Sequence, residues 1–204
     1  MLLEYFFLLG IIVEAMSGTL AAGRHNMDLA GVFIIANVTA FGGGALRDLA
    51  IANYPLTWVE HPEYVLYTTF ASVIAMLIAK YIKRLYTVFL ILDAIGLVTF
   101  SLIATKIAVA HSLSPIVACV LAIISGASGG MIRDILCHEI PLIFRKELYV
   151  SVSLFTAISY LILSNKVFPN HLFADEIIAL VLAFLMRVLA IRYKIHLPKF
   201  DFKH

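Results

Sequence analysis

Apolar residues occur along the chain in seven stretches of about 20 residues, separated by short segments that collect Gly, Pro and charged residues. A membrane-spanning helix needs about 20 mostly apolar residues, so each stretch is long enough to form one. The first stretch carries Glu4 and Glu14 without a preceding basic segment, which is typical of a retained span rather than a cleaved signal peptide. The pattern predicts an all-α integral membrane protein with seven transmembrane helices, at residues 1–22, 29–51, 64–82, 85–105, 114–137, 147–165 and 174–193.

The composition supports a membrane protein and leaves no room for a separate soluble domain. Hydrophobic residues make up 62% of the 204 residues and charged residues 14%, against roughly 45–50% and 25% in soluble domains. The net charge of +2 is small and dispersed, unlike the basic patch of a nucleic-acid-binding surface. We therefore expect no nucleic-acid partner.

Lysine and arginine are divided unequally between the two sides of the predicted membrane. On the side of the N-terminus, the connections hold only Lys106 and Lys166. The opposite side holds Arg24, Lys80, Lys83, Arg84, Arg145, Lys146, Arg192, Lys194, Lys199 and Lys203. Because cytoplasmic connections collect Lys and Arg, this bias predicts that the N-terminus lies outside the cell and the C-terminus in the cytoplasm.

The second and fifth stretches contain a repeated motif. A shift of 86 positions aligns GGGALRDLAIANYPL, which begins at Gly42, with SGGMIRDILCHEIPL, which begins at Ser128. The alignment superposes two glycines, an Arg-Asp pair and a proline, and so many coincidences of residues that are rare in membranes indicate a duplication. A weaker match aligns Glu14 with Asp93 at a shift of 79, with a longer connection around 111–115 absorbing the other seven positions.

Each copy of the duplicated unit holds three predicted spans. Because three is odd, the second copy must enter the membrane from the opposite side. The predicted units are residues 1–84 as the first three-helix repeat, residues 85–165 as the second, inverted repeat, and residues 166–204 as a seventh helix with a basic cytoplasmic tail. Inverted repeats with glycine-interrupted spans in matching places usually indicate a translocation path near the bilayer midplane.

The glycines of the two motifs are candidate pore kinks. Glycine weakens a helix by about 1 kcal/mol relative to alanine, and freed backbone groups at membrane depth are tolerated only where they face protein or water. The candidates are Gly42, Gly43, Gly44, Gly129 and Gly130. Close helix packing is the alternative, because small residues recur every four positions in both stretches.

Six charged residues lie within the predicted spans or at their rims. Unpaired charges there are costly, so they must be paired or hydrated. The set consists of Glu14, Arg47, Asp48, Asp93, Arg133 and Asp134. Adjacent helical residues point about 100° apart, which favours crossed pairs between the copies, Arg47 with Asp134 and Arg133 with Asp48. Such pairs either border a path or only clamp the repeats together. If both pairs cancel, the remaining two carboxylates make the path attractive to cations.

Four polar residues near the glycines are weaker candidates for lining the path, because such side chains as often bond their own helix. They are Thr39, Asn37, Ser125 and Ser128. The seven histidines form no HxxxH spacing, so we expect no metal site. The sequence has no nucleophile elbow or Walker-type loop, so we expect no enzyme activity.

The motifs GGGALRD and SGGMIRD, the proline in each following connection, the LDAIGLVTFSL run and the 3+3+1 pattern of spans resemble the prokaryotic branch of the trimeric intracellular cation (TRIC) channels, which are related to membrane proteins called glycine transporters. The resemblance covers about residues 4–195. It implies a homotrimer in the plasma membrane of a prokaryote. Each subunit then has its own potassium-permeable pore, lined by the glycine-kinked second and fifth helices, with the motif Arg and Asp residues beside the path.

Two positions depart from the pattern that the resemblance implies. Ser128 replaces the first glycine of the second copy, which implies a milder kink or a hydroxyl in the path. Glu14 stands where the second unit has the family-like Asp93.

The predicted function is passive conduction of potassium through each subunit. A carrier for glycine or another small zwitterion is the alternative, because helix N-termini at the glycines could hold a carboxylate while acidic residues hold an ammonium group. The expected partners are a second and third copy of the chain, membrane lipid and potassium ion. No cofactor is expected beyond a permeant K⁺ or Na⁺.

Overall fold

A computed structural model describes residues 2–145, 148–164 and 174–195. Within these residues the chain forms nine helices and no strand, so the predicted all-α fold is confirmed. The predicted basic tail beyond residue 195 lies outside the described residues. The helices are α1 (Leu2–Arg24), α2 (Leu29–Ala50), α3 (Thr57–Glu60), α4 (Glu63–Ala79), α5 (Leu85–Ala110), α6 (Pro115–Leu136), α7 (Leu142–Arg145), α8 (Tyr149–Ile162) and α9 (Ala174–Tyr193).

Four helices, α1, α2, α5 and α6, are long and apolar enough to cross a membrane. The apolar helices α4 and α8 are shorter, with 17 and 14 residues. Helix α9 has 20 residues but carries Asp175, Glu176, Arg187 and Arg192. Length and composition therefore establish a multi-pass helical membrane protein.

The two long hairpins, α1–α2 and α5–α6, turn and end at equivalent positions. Helices α1 and α5 end at Arg24 and Ala110, and helices α2 and α6 begin at Leu29 and Pro115, so both pairs differ by 86 positions. Each connection has four residues, and its last residue caps the next helix. Asp28 accepts a hydrogen bond from a backbone N–H of α2, and the corresponding residue before α6, Ser114, does the same.

The equal connections correct the register expected for the first spans. No longer connection exists to absorb seven positions, so the match of Glu14 with Asp93 at a shift of 79 is wrong. At the shift of 86, Asp93 corresponds to Phe7, and Glu14 corresponds to Phe100. The two carboxylates therefore do not occupy equivalent positions in the two hairpins.

The hairpins pack face to face, with α1 against α5 and α2 against α6. Helix α4 covers α1 and α2, while α8 covers α5 and α6. Helix α9 packs on α5 and α8, so it covers only the second hairpin among these contacts. This arrangement buries the repeated motifs of α2 and α6 at the centre of the subunit, and the motif Arg and Asp side chains are almost fully buried.

Candidate functional site

Helices α2 and α6 touch backbone to backbone at the glycine motifs. A Cβ added at Gly43 would overlap the carbonyl oxygen of Ser125, and a Cβ added at Gly129 would overlap the carbonyl oxygen of Thr39. The two contacts are reciprocal, because Thr39 and Ser125 are themselves 86 positions apart. Only glycine permits this approach, so the duplicated glycines form one crossing point, which we call the glycine crossing.

Both helices continue through the glycines as α-helix, from Leu29 to Ala50 and from Pro115 to Leu136. No glycine in the described part of the chain has a positive φ. The glycines therefore do not interrupt the helices, and the contact that the structure shows is the close-packing alternative. That the same glycines also line a pore stays a prediction.

Three of the four polar candidates near the glycine crossing bond their own helix. Asn37, Thr39 and Ser128 each donate to the carbonyl oxygen four residues earlier, over 2.8, 2.6 and 2.5 Å. Asn37 also accepts a hydrogen bond from Thr68 of α4. Ser125 differs, because its buried hydroxyl has no hydrogen-bond partner.

The motif Arg and Asp residues pair within each copy, so the expected crossed pairs are wrong. Arg47 donates from Nε and Nη2 to Oδ1 of Asp48 over 2.9 and 2.7 Å. Arg133 donates from Nε to Oδ1 of Asp134 over 2.8 Å. A difference of 100° in direction does not separate these neighbours, because the long arginine side chain folds back at the last turn of its helix.

Each motif aspartate also holds the short helix that follows it. The second carboxylate oxygen of Asp48 accepts from the backbone N–H and the hydroxyl of Thr57, over 3.2 and 2.8 Å. The second oxygen of Asp134 accepts from the backbone N–H of Leu142 over 2.9 Å. Thr57 and Leu142 are the first residues of α3 and α7, where helix N–H groups otherwise have no partner. The sequence analysis missed both short helices and this role of Asp48 and Asp134.

The surroundings of the first motif are mainly aromatic. The Phe7 ring lies beside Gly44, 3.9 Å from where its Cβ would be. Its centroid is 5.4 Å from that of Tyr64 and 5.9 Å from that of Phe100. Within the described part of the chain, Arg47 bonds only Asp48 and Thr57, and its buried Nη1 has no hydrogen-bond partner. We call Phe7, Arg47, Tyr64 and Phe100 the aromatic half.

The surroundings of the second motif are acidic. Arg133 donates from Nη1 to Oδ1 of Asp93 and to the hydroxyl of Ser17, each over 2.8 Å, and stacks over the ring of Phe89 at 4.6 Å. The side chain of Glu14 occupies the space where Gly96 would carry a Cβ. We call the equivalent set Glu14, Asp93, Arg133 and Tyr149 the acidic half.

Across the glycine crossing, three pairs of positions correspond at the shift of 86: Phe7 with Asp93, Glu14 with Phe100, and Arg47 with Arg133. Tyr64 and Tyr149 are 85 positions apart, one residue off this register. Phe7 beside Gly44 corresponds to Asp93 beside Gly130, where Asp93 Oδ1 lies 3.2 Å from the position of an added Cβ. Tyr64 is the first aromatic residue of α4, and Tyr149 begins α8, with its hydroxyl 3.1 Å from the same point. The structure thus places all six predicted charges at the two motifs. Arg47 and Asp48 lie at the first motif, and the second motif collects Asp93, Arg133, Asp134 and Glu14.

Comparison with known sequences shows the family of this chain. A family model described as Glycine transporter matches residues 4–80 and 90–165. The UPF0126 inner membrane protein YadS of Escherichia coli K12 is 34% identical over 201 residues, covering 98% of this chain and 97% of YadS. A UPF0126 membrane protein of Vibrio cholerae is 33% identical over 98% of this chain and 83% of its own length.

Solved channel structures share the fold. A TRIC trimeric intracellular cation channel orthologue from Rhodobacter sphaeroides has a TM-score of 0.89 and 29% identity, covering 95% of this chain and 99% of that channel. A prokaryotic TRIC channel crystallised in 0.5 M KCl has a TM-score of 0.89 and 30% identity, covering 97% and 99%. These relatives are channels rather than enzymes. The chain belongs to the Glycine transporter family of membrane proteins and has the fold of the prokaryotic TRIC cation channels.

Proposed function

We propose that this protein is a passive channel for monovalent cations, with potassium as its permeant ion and one pore in each subunit of a homotrimer. The observation that carries the proposal is the match to TRIC cation channels over nearly the whole chain, at TM-scores of 0.89. A third matching structure, at a TM-score of 0.84, is described as the structural basis for conductance through TRIC cation channels. The trimer is proposed because the Rhodobacter relative is described as trimeric.

The proposed path runs beside the glycine crossing, between α2 and α6. On its acidic half, Arg133 faces the carboxylates of Glu14, Asp93 and Asp134. Carboxylates outnumber guanidinium groups there, so the local charge favours cations over anions. At the first motif, Arg47 and Asp48 neutralise each other, so this pair adds no net charge to the path.

We infer seven spans, with the two hairpins inserted in opposite orientations and the N-terminus outside. The reciprocal contacts of Gly43 and Gly129 support the inverted arrangement. The sequence bias of Lys and Arg supports the orientation. A bacterial inner membrane is the proposed location, because YadS is described as an inner membrane protein.

Cysteine labelling tests this orientation. In a background lacking Cys119 and Cys137, a membrane-impermeant reagent added outside the cell should label a cysteine placed at Trp58, which is half exposed between α2 and α4. The same reagent should not label a cysteine at Lys83, on the opposite side of α4. Labelling of Lys83 but not Trp58 would reverse the orientation.

The function itself is tested with purified protein in planar bilayers under a potassium gradient, beside labelled-glycine uptake into liposomes. We expect single-channel current steps carried by potassium. The family model is described as Glycine transporter, so carrier activity is the alternative that the experiment must separate. Saturable glycine uptake without current steps would contradict the channel and support the carrier.

A further inference from the structure

The acidic half holds more negative charge than its cation balances. The charged groups that act on Glu14 are Asp93 on α5 and both Arg133 and Asp134 on α6. Three carboxylates therefore surround one guanidinium group. Two of the three carboxylates, those of Asp93 and Asp134, already bond Arg133 directly.

Glu14 and Asp93 each keep one oxygen atom without a partner. The side chains are only 2% and 0% exposed, and Oε2 of Glu14 and Oδ2 of Asp93 form no hydrogen bond with any residue that the structure describes. A buried carboxylate without a counter-charge or hydrogen bond is strongly disfavoured, more so in a membrane. The unused oxygens therefore indicate that a positively charged species binds here.

The remaining neighbours do not supply that charge. Helices α2 and α4 contact α1 near Glu14 through uncharged groups, Thr39 at Gly18 and Ser72 at Thr19. On α8, Tyr149, which is itself part of the acidic half, contributes a hydroxyl beside Gly130 and no cation. Behind it, Arg187 of α9 lies over the Tyr149 ring, 4.7 Å from its centroid, whereas the charges that act on Glu14 are those of Asp93, Arg133 and Asp134.

We propose that Glu14 and Asp93 form a proton-binding site, in which the two carboxyl groups hold one proton at neutral pH. A proton requires no coordination shell, and Glu14 is packed tightly against Gly96. Among the described residues, no group of three or more His, Cys, Asp or Glu side chains is arranged to hold a metal ion. Of the three negative charges, a proton removes one and Arg133 compensates a second, so one remains instead of two.

This site is a property of one half only. In the aromatic half the equivalent residues are Phe100 and Phe7, whose rings pack edge to face with an interplanar angle of 89°. The carboxyl pair thus takes the place of an aromatic pair across the glycine crossing. The inference concerns proton binding by the folded protein and is independent of ion conduction.

Infrared spectroscopy of the purified full-length protein detects the proton directly. At neutral pH the parent should show a protonated carboxyl C=O band that shifts in D₂O. Glu14→Gln should lose this band, because Gln fits the same space beside Gly96 and has no carboxyl group to hold the proton. Glu4→Gln, a change at an exposed position of the same helix, should keep it. Superimposable spectra of the parent and Glu14→Gln would overturn the proposal.

Thermal stability of the parent and of Glu14→Gln gives a second measurement. A native state that binds one proton more than the unfolded state loses stability as the pH rises. The melting temperature of the parent should therefore fall between neutral and alkaline pH, and Glu14→Gln should flatten this fall. If potassium or sodium in place of N-methylglucamine raises the melting temperature of the parent but not of Glu14→Gln, and the carboxyl band is absent, a metal ion occupies the site and the proton site is wrong.

Discussion

The aromatic half and the acidic half present the same Arg-Asp motif in opposite surroundings. In the aromatic half, Arg47 needs only Asp48 and Thr57 as hydrogen-bond partners. In the acidic half, Arg133 takes two further partners, Asp93 and Ser17. The comparison teaches that the motif alone ties a long helix to the short helix after it. The extra carboxylates of the acidic half are not required for that tie and point to a separate role.

The largest expected effect is loss of Arg133. Arg133→Ala removes the guanidinium group that bonds both Asp93 and Asp134, so two buried carboxylates lose this counter-charge. Breaking a buried ion pair from one side costs about 3–5 kcal/mol. We expect Arg47→Ala to cost less in the free energy of unfolding, because Asp48 keeps both hydrogen bonds from Thr57. Equal losses in detergent unfolding would show that the halves do not differ.

Double-mutant cycles test which charged residues pair in each half. Arg133→Ala and Asp93→Asn should be strongly non-additive, because the two side chains are in contact. Arg47→Ala and Asp134→Asn should be additive, because each residue pairs within its own copy. Non-additive losses of stability for Arg47→Ala and Asp134→Asn would instead support the crossed pairs.

The next effect should be equal in the two halves. Gly43→Ala and Gly129→Ala each press a methyl group onto a backbone carbonyl of the partner helix, which cannot move as a flexible side chain would. Overpacking of this kind costs about 1–3 kcal/mol. Gly23→Ala is the matched control, because no heavy atom lies within 4 Å of its added Cβ. It should leave the melting temperature unchanged or raise it.

The same variants test conduction. Among those that assemble like the parent, Gly43→Ala and Gly129→Ala should change potassium conductance or open probability, while Gly23→Ala should not. Parent-like currents in both crossing variants would mean that the glycine crossing serves packing alone.

The smallest effect concerns the hydrogen bonds that hold α3 to Asp48. Thr57→Val removes a hydroxyl that donates to Asp48 over 2.8 Å and accepts from Arg47 over 3.3 Å. Each hydrogen bond contributes about 0.5–1.5 kcal/mol, so the free energy of unfolding should fall by about 1–2 kcal/mol. Thr87→Val, at an exposed position of α5, should change it little. If Thr57→Val leaves the free energy of unfolding unchanged, the backbone N–H of Thr57 alone holds α3 to Asp48.

The long helices could be predicted because apolar length sets them. The predicted spans 29–51 and 114–137 differ by about one residue at each end from α2 and α6. Helices α3 and α7 have four residues each, too few for a hydrophobic period. The repeat predicted which residues are equivalent in α2 and α6, since glycine, arginine and aspartate are rare at membrane depth.

The side-chain partners could not be predicted in the same way. Direction on a helix does not limit a side chain as long as that of Arg47, so the crossed pairs failed. The register of α1 and α5 failed because Glu14 and Asp93 were matched by chemistry. Gly10 and Gly96, which are 86 positions apart, were the signal for the correct register. The burial of Glu14 against Gly96 depends on a contact between two helices, which the sequence does not show.

The four-residue connections before α2 and α6 have an evolutionary consequence. Since the connection has four residues in both copies and α2 and α6 have 22 residues each, the two copies diverged there by substitution alone, without insertion or deletion. One ancestral position became Phe7 in one copy and Asp93 in the other, on a common backbone. Single substitutions can therefore redistribute polar residues between the two halves of such a protein. A reconstructed ancestor with identical halves would need only one gene, for one unit that pairs with a second copy of itself.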